Sequence, residues 1–128
     1  MILVTTRMKV HSEKRMELSQ TITSLSGSIR MEKGCRRCDF FQSIEDENRL
    51  FLLEEWDTRE NLMAHLNSEH YKVLEGAMIL LKKPYERMFH TVFDPAGMED
   101  IYMKSSTKDR TEGKVQEKTV QAKKVLDK

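Results

Sequence analysis

The chain has 128 residues, the length of one domain, with 38% hydrophobic and 34% charged residues. Lys and Arg number 22 against 21 Asp and Glu, for a net charge of +1. That balance excludes a chain-wide basic footprint for nucleic acid and a polyacidic solvating chain. No apolar run approaches the roughly 20 residues that span a bilayer. The opening residues Met1 to Arg7 lack the basic and long apolar regions of a signal peptide. Two cysteines make no disulfide framework. The expectation is a cytoplasmic protein with neither membrane nor nucleic acid as a partner.

The composition is not uniform along the chain. Of the nine aromatic residues, only Tyr102 follows Pro95. A segment with so few large apolar groups does not readily offset its ordering entropy. Residues 1–94 are therefore read as the folded domain. Residues 95–128 are read as a polar extension, partly disordered or docking on a dimer partner.

In the domain, Ile2 to Val10 alternates at period two and predicts a strand. Ser12 is the expected cap of a helix whose apolar face is Leu18, Ile22, Leu25 and Ile29. Gly34 is the expected stop after it. Cys35 to Ile44 predicts a second strand, the charged run Glu45 to Asn48 a turn, and Arg49 to Trp56 a third strand. Asp57 and Glu60 have capping-box spacing at the head of the next helix. Its apolar face reads Leu62, Leu66, Val73 and Ala77, with a break at Asn67-Ser68 and Ser68 capping a second segment. Pro84 ends the helix, Tyr85 to Phe93 predicts the last strand, and Pro95 ends that.

The order β-α-β-β-α-β is ferredoxin-like α+β, with both helices on one face of a four-stranded antiparallel sheet. In the third strand both faces are apolar: Leu50 and Leu52 on one, Phe51 and Leu53 on the other. Such a sheet does not leave one side in water. The simplest cover is a second copy, giving a two-fold homodimer.

Leu50-Phe51-Leu52-Leu53-Glu54-Glu55-Trp56-Asp57, with Ala64-His65-Leu66-Asn67-Ser68-Glu69-His70-Tyr71 after it, resembles the antibiotic biosynthesis monooxygenase domain family. That family shows an apolar strand ending in Glu-x-Trp and then a helix with a His, a small polar pair and a His-aromatic step. The resemblance covers about residues 1–94. It implies a dimeric α+β barrel. It also implies oxidation of small quinols or phenols by O₂ without cofactor, although the family includes haem-degrading enzymes, isomerases and members with no known activity.

His65 and His70 are the candidate bases, since imidazole titrates near neutral pH. One of them would take a proton from a bound phenol or quinol, and the electron-rich anion then reduces O₂. They are five residues apart, so on an unbroken helix they diverge by about 140°. A break at Asn67-Ser68 changes that. Trp56 and Tyr71 would shape a pocket for a planar ring. Arg7 and His90, on outer strands, are further candidate lining residues, with facing set by strand register.

Cys35-Arg36-Arg37-Cys38 carries no expected metal or redox role. On a regular strand residues three apart point to opposite faces, about 10 Å apart, whereas a disulfide needs Cα atoms within about 7 Å. No metal is expected. The haem-degrading branch of the family uses an Asn-Trp-His set. Here His65 stands at the Trp position, Gly76 at the His position, and the first strand offers Thr5 and Thr6 but no Asn. Haem breakdown is therefore disfavoured. Met63, Met78 and Met88 are read as core filling. The competing reading of the chain is a non-catalytic dimeric module that binds a small ligand or a protein.

Overall fold

A computed structural model describes residues 1–93. The extension expected from residue 95 lies outside the described residues. The elements are β1 (Ile2–Lys9), α1 (Arg15–Ile29), β2 (Cys35–Gln42), β3 (Arg49–Trp56), α2 (Arg59–Leu66), α3 (Glu69–Ala77) and β4 (Glu86–Thr91). Short 3-10 turns at Ser12–Lys14 and Met78–Leu80 precede α1 and follow α3. The sheet is antiparallel throughout, in the order β2-β3-β1-β4. This is the ferredoxin-like arrangement expected from the element order.

The helix-covered face of the sheet is Ile2, Val4, Thr6 and Met8 of β1 with Leu50, Leu52, Glu54 and Trp56 of β3. Leu18, Ile22 and Ile29 of α1 close over it, as the helical spacing predicts. Each such aliphatic side chain contributes about 1.5–3 kcal/mol of transfer free energy. The opposite face is open and half apolar. Leu3, Phe51, Leu53 and Met88 are half-buried there, and Phe41 is exposed against Phe51 with ring centroids 6.2 Å apart.

Several local expectations are corrected. Neither Ser12 nor any other side chain caps α1; its first turn is entered through the Ser12–Lys14 turn. Thr58, not Asp57, caps α2, its hydroxyl accepting from the Asn61 amide at 3.1 Å. The break at Asn67-Ser68 is real, and Ser68 caps α3 by accepting from the Tyr71 amide at 3.2 Å. The break also shifts the phase of the second helix. Leu74 is buried and Val73 exposed, where an unbroken count made Val73 the core residue. Met63 is exposed rather than core. Ser68→Ala is expected to lower stability by about 1 kcal/mol, seen as a lower denaturation midpoint at unchanged m-value.

Gly34 lies four residues beyond the C-cap Arg30, so it does not stop α1. It adopts φ +85° immediately before β2, and its carbonyl accepts from the Asp57 amide at 2.9 Å. A Cβ there would collide with the side chains of Asp57 and Asn61. Gly34→Ala combines that collision with a left-handed backbone that costs about 1–3 kcal/mol for other residues. A midpoint loss below 0.5 kcal/mol-equivalent, on the order of surface substitutions, would contradict this. The closeness matters because the loop between α1 and β2 carries Glu32 to the centre of the molecule.

Candidate active site

The helix break brings His65 and His70 to one carboxylate. His65 Nδ1 is 2.9 Å from Glu32 Oε1, and His70 Nδ1 is 2.7 Å from Glu32 Oε2. The straight-helix divergence therefore does not apply, because the two residues sit on separate helices, α2 and α3. Both rings present an Nδ1–H to the carboxylate, one to each oxygen.

The two histidines differ in every other respect. The His65 side chain is 1% exposed, stacked on Trp56 at 4.6 Å between centroids and edge-on to Tyr71 at 5.5 Å. Its Nε2 lies 3.3 Å from Glu54 Oε1 without hydrogen-bond alignment, and that same oxygen accepts from Trp56 Nε1 at 3.0 Å. Burial pulls the His65 pKa down. Hydrogen bonding and charge from Glu54 and then Glu32 outweigh it, so the pKa is raised above the ordinary 6.5. His65 thus holds its proton more tightly than a free imidazole, between two carboxylates. The His70 side chain is 41% exposed, and its Nε2 has no partner among the described residues.

A second cluster adjoins this one through Tyr71. Arg87 comes from β4 on the helix-covered face, opposite Thr6 in the register, and its side chain is 6% exposed. It donates from Nε to Thr6 Oγ1 at 3.0 Å, and from Nη1 to Glu75 Oε2 at 3.0 Å and to the Tyr71 hydroxyl. Tyr85 donates to Glu75 Oε1 at 2.6 Å. Burial raises the Tyr71 pKa, and burial with the Glu75 bond pushes Tyr85 up to about 12, so both phenols stay protonated at neutral pH. Two buried side-chain nitrogens lack an aligned acceptor among the described residues: His65 Nε2 and Arg87 Nη2.

An apolar cavity of about 150 Å³ is lined by Ile2, Arg59, Leu62, Met63, Leu66 and Phe89. Leu62 and Leu66 flank His65 along α2, and Phe89 is two residues from Arg87 on the same face of β4. No residue of either cluster is in the cavity wall.

Of the six candidates, the structure brings together His65, His70, Trp56 and Tyr71. Arg7 and His90 stand on the open face of the sheet, opposite Phe51 and Leu3 in the register, so they do not converge with the others. Glu32, Glu54, Glu75, Tyr85 and Arg87 were not anticipated. Glu54 carried a signal: an acid in phase with Leu50, Leu52 and Trp56 sits on the buried face and needs a partner.

The cysteine pair also differs from expectation. A bulge between Cys35 and Arg37 sets Cys35 opposite Trp56 and Cys38 opposite Glu54, so both lie on one face. Both are free thiols, raised by burial to about 11 and about 12 respectively, and so are protonated and unreactive at neutral pH. Among the described residues no group of three or more His, Cys, Asp or Glu is placed to hold a metal ion. None of the described helices is long and apolar enough to cross a membrane.

The fold is a ferredoxin-like α+β domain with a buried His-carboxylate centre. The family model described as "Antibiotic biosynthesis monooxygenase" matches residues 1–75, and the chain belongs to that family. A conserved protein from Methanosarcina mazei is 29% identical, with TM-score 0.66 over 70% of this chain and 89% of its own. A Mycobacterium tuberculosis protein is 26% identical, with TM-score 0.68 over 74% of this chain and 97% of its own. A curated Haloquadratum walsbyi protein named "Putative heme-binding protein" is 31% identical over 77 residues, 59% of this chain. The match spans only 14% of that relative's length.

The residues present do not fit a haem site. Both His65 nitrogens face carboxylates, the half-exposed His70 is not in the cavity wall, and that cavity of about 150 Å³ is well short of the roughly 300–1,000 Å³ that encloses a drug-sized ligand. The family assignment supports a monooxygenase-like or small-molecule-binding role.

Proposed function

We propose that the chain is a homodimeric, cofactor-independent monooxygenase of a small quinol or phenolic substrate. The observation that carries this reading is the pair of histidines on Glu32, one buried between Glu32 and Glu54 and one half-exposed, with an apolar cavity lined by Leu62 and Leu66 of the same helix that carries His65. The substrate ring lies against Phe89, Leu62 and Leu66. Residues two apart on a strand are roughly 6.6 Å apart, which sets Arg87 next to Phe89 on the helix-covered face of β4. Of the two buried nitrogens without an aligned acceptor, Arg87 Nη2 is the proposed donor to the phenolate, since His65 Nε2 already faces Glu54 Oε1 at 3.3 Å.

His70 Nε2 takes the phenolic proton, and Glu32 holds the ring and balances the imidazolium that forms. The phenolate passes one electron to O₂, and the resulting radical pair combines at ring carbon. One oxygen atom stays in the product, the other leaves as water, and the quinol supplies the electrons for both. The open apolar sheet face, with Leu3, Phe51, Leu53 and Met88, is covered by a second copy.

A second reading is favoured by one observation: His65 is fully buried and is not in the cavity wall. On that reading the cavity holds a small apolar ligand without turning it over. Oxygen-electrode assays over a panel of benzo- and naphthoquinols separate the two. Saturable O₂ uptake supports the enzyme. Quinol binding without O₂ uptake supports the module, and sedimentation at micromolar concentration as a monomer would remove the dimer from either.

A further inference from the structure

A second cavity, of about 160 Å³, lies at the other end of the molecule. Its wall joins Arg7 and Lys9 of β1, Arg49 at the start of β3, Lys83 and Pro84 before β4, and Glu86. Four cations thus meet one carboxylate. The neighbouring acid Asp46 pairs with Lys9 at 3.3 Å and reaches Arg49 at 4.0 Å, which leaves a surplus of two positive charges. Arg7 stands opposite Glu86 in the ladder but does not pair with it. Its guanidinium lies 5.9 Å from the Phe51 ring centroid, with Nη1 at 4.0 Å from Met88 Sδ. Among the described residues Arg7 and Lys83 have no carboxylate within ion-pair distance.

The backbone fixes this convergence. Val10 bridges Leu81, the Lys82 amide donates to the Lys9 carbonyl at 2.7 Å, and the Val10 amide donates to the Asn48 carbonyl at 2.9 Å. The segments bearing Lys9, Arg49 and Lys83 are therefore tied together at one point. Like charges gathered this way repel one another unless an anion joins them. Two guanidinium forks and two ammonium groups suit an acceptor with several oxygens around one centre.

We propose that this cavity binds a small dianionic oxyanion of the phosphate type, free or as a phosphate ester. The site is separate from the His65 and Arg87 clusters, so its failure leaves the quinol reading intact; Arg7, Lys9, Arg49 and Glu86 share the open sheet face with Phe51 and Met88, so in the proposed dimer the bound anion would lie against the second copy. The test is calorimetric titration of the full chain with inorganic phosphate at constant ionic strength, with Tm followed in parallel. One saturable event per chain is expected, together with a rise in Tm. Affinity should fall at least tenfold in the Arg49→Ala/Lys83→Ala variant. It should be unchanged in Lys14→Ala/Lys72→Ala, whose lysines pair with Glu17 and Glu69 elsewhere on the surface. Phenyl phosphate binding more tightly than inorganic phosphate assigns the site to esters; equal binding assigns it to the free ion. Absence of both saturable heat and a Tm rise, or equal affinity in the cavity variant and the wild type, overturns the proposal.

Discussion

His65→Ala is expected to lower the unfolding free energy by about 3–5 kcal/mol, the range for breaking a buried ion pair from one side. The side chain is 1% exposed between Glu32 and Glu54, and Glu54 is 3% exposed. Removing the imidazole leaves Glu54 with the Trp56 indole N–H and no cation, and it removes the ring stacked on Trp56. The pH dependence has a definite sign. The folded-state pKa of His65 is raised above 6.5, so its charge-dependent stabilisation is fully present below the unfolded value. It declines as pH rises through the raised folded value. The gap between wild type and His65→Ala should therefore be widest near pH 5–6 and narrow toward pH 9, read from urea midpoints across that range. A gap below about 1 kcal/mol at pH 6, ordinary for a point substitution, would contradict the buried-cation account.

His70→Ala is expected to do the reverse: little change in stability and a fall of about 10²–10⁴ in kcat, the usual contribution of a general base. His70 is half-exposed, and among the described residues its ring hydrogen-bonds to Glu32. Its Nε2, without a partner among the described residues, distinguishes it from His65, both of whose ring nitrogens face carboxylates. The measurement is steady-state O₂ uptake with a quinol turned over by the wild type. The loss should appear in kcat while the circular dichroism spectrum stays unchanged. If His70→Ala retains wild-type kcat and a correctly folded His65→Gln loses it, the roles are interchanged.

The layout of the fold was largely legible because it rests on local periodicity. The two faces of Leu50 to Leu53 identified a sheet with both sides to cover, and the period-two run from Ile2 identified its neighbour. The break at Asn67-Ser68 was legible from its residues, but its consequence was not. A two-residue interruption changes the phase of everything after it, and Leu74 rather than Val73 became the core residue. The Cys35–Arg37 bulge acted in the same way on a strand, reversing the facing that simple alternation assigns to Cys35.

The site was half legible. His65, His70, Trp56 and Tyr71 lie close together in sequence, and the motif around the helix break marked them. Their partners come from distant segments. Glu32 reaches them only because Gly34 docks the loop against Asp57 and Asn61, a contact that no local pattern encodes. Arg87 arrives through the β1–β4 register, which places it opposite Thr6 and beside Phe89 on the helix-covered face. Arg7 and His90 were assigned by residue type alone, and the same register carries them to the open face.

The central claim is that quinol electrons reduce O₂ at this site and that one oxygen atom stays in the product. It is tested most directly by turnover under ¹⁸O₂ in ordinary water, followed by mass spectrometry of the product. The account predicts one ¹⁸O per product molecule, no hydrogen peroxide, and loss of both product and label in His70→Ala. Unlabelled quinone with stoichiometric hydrogen peroxide, or no turnover of any quinol that binds the cavity, would contradict it.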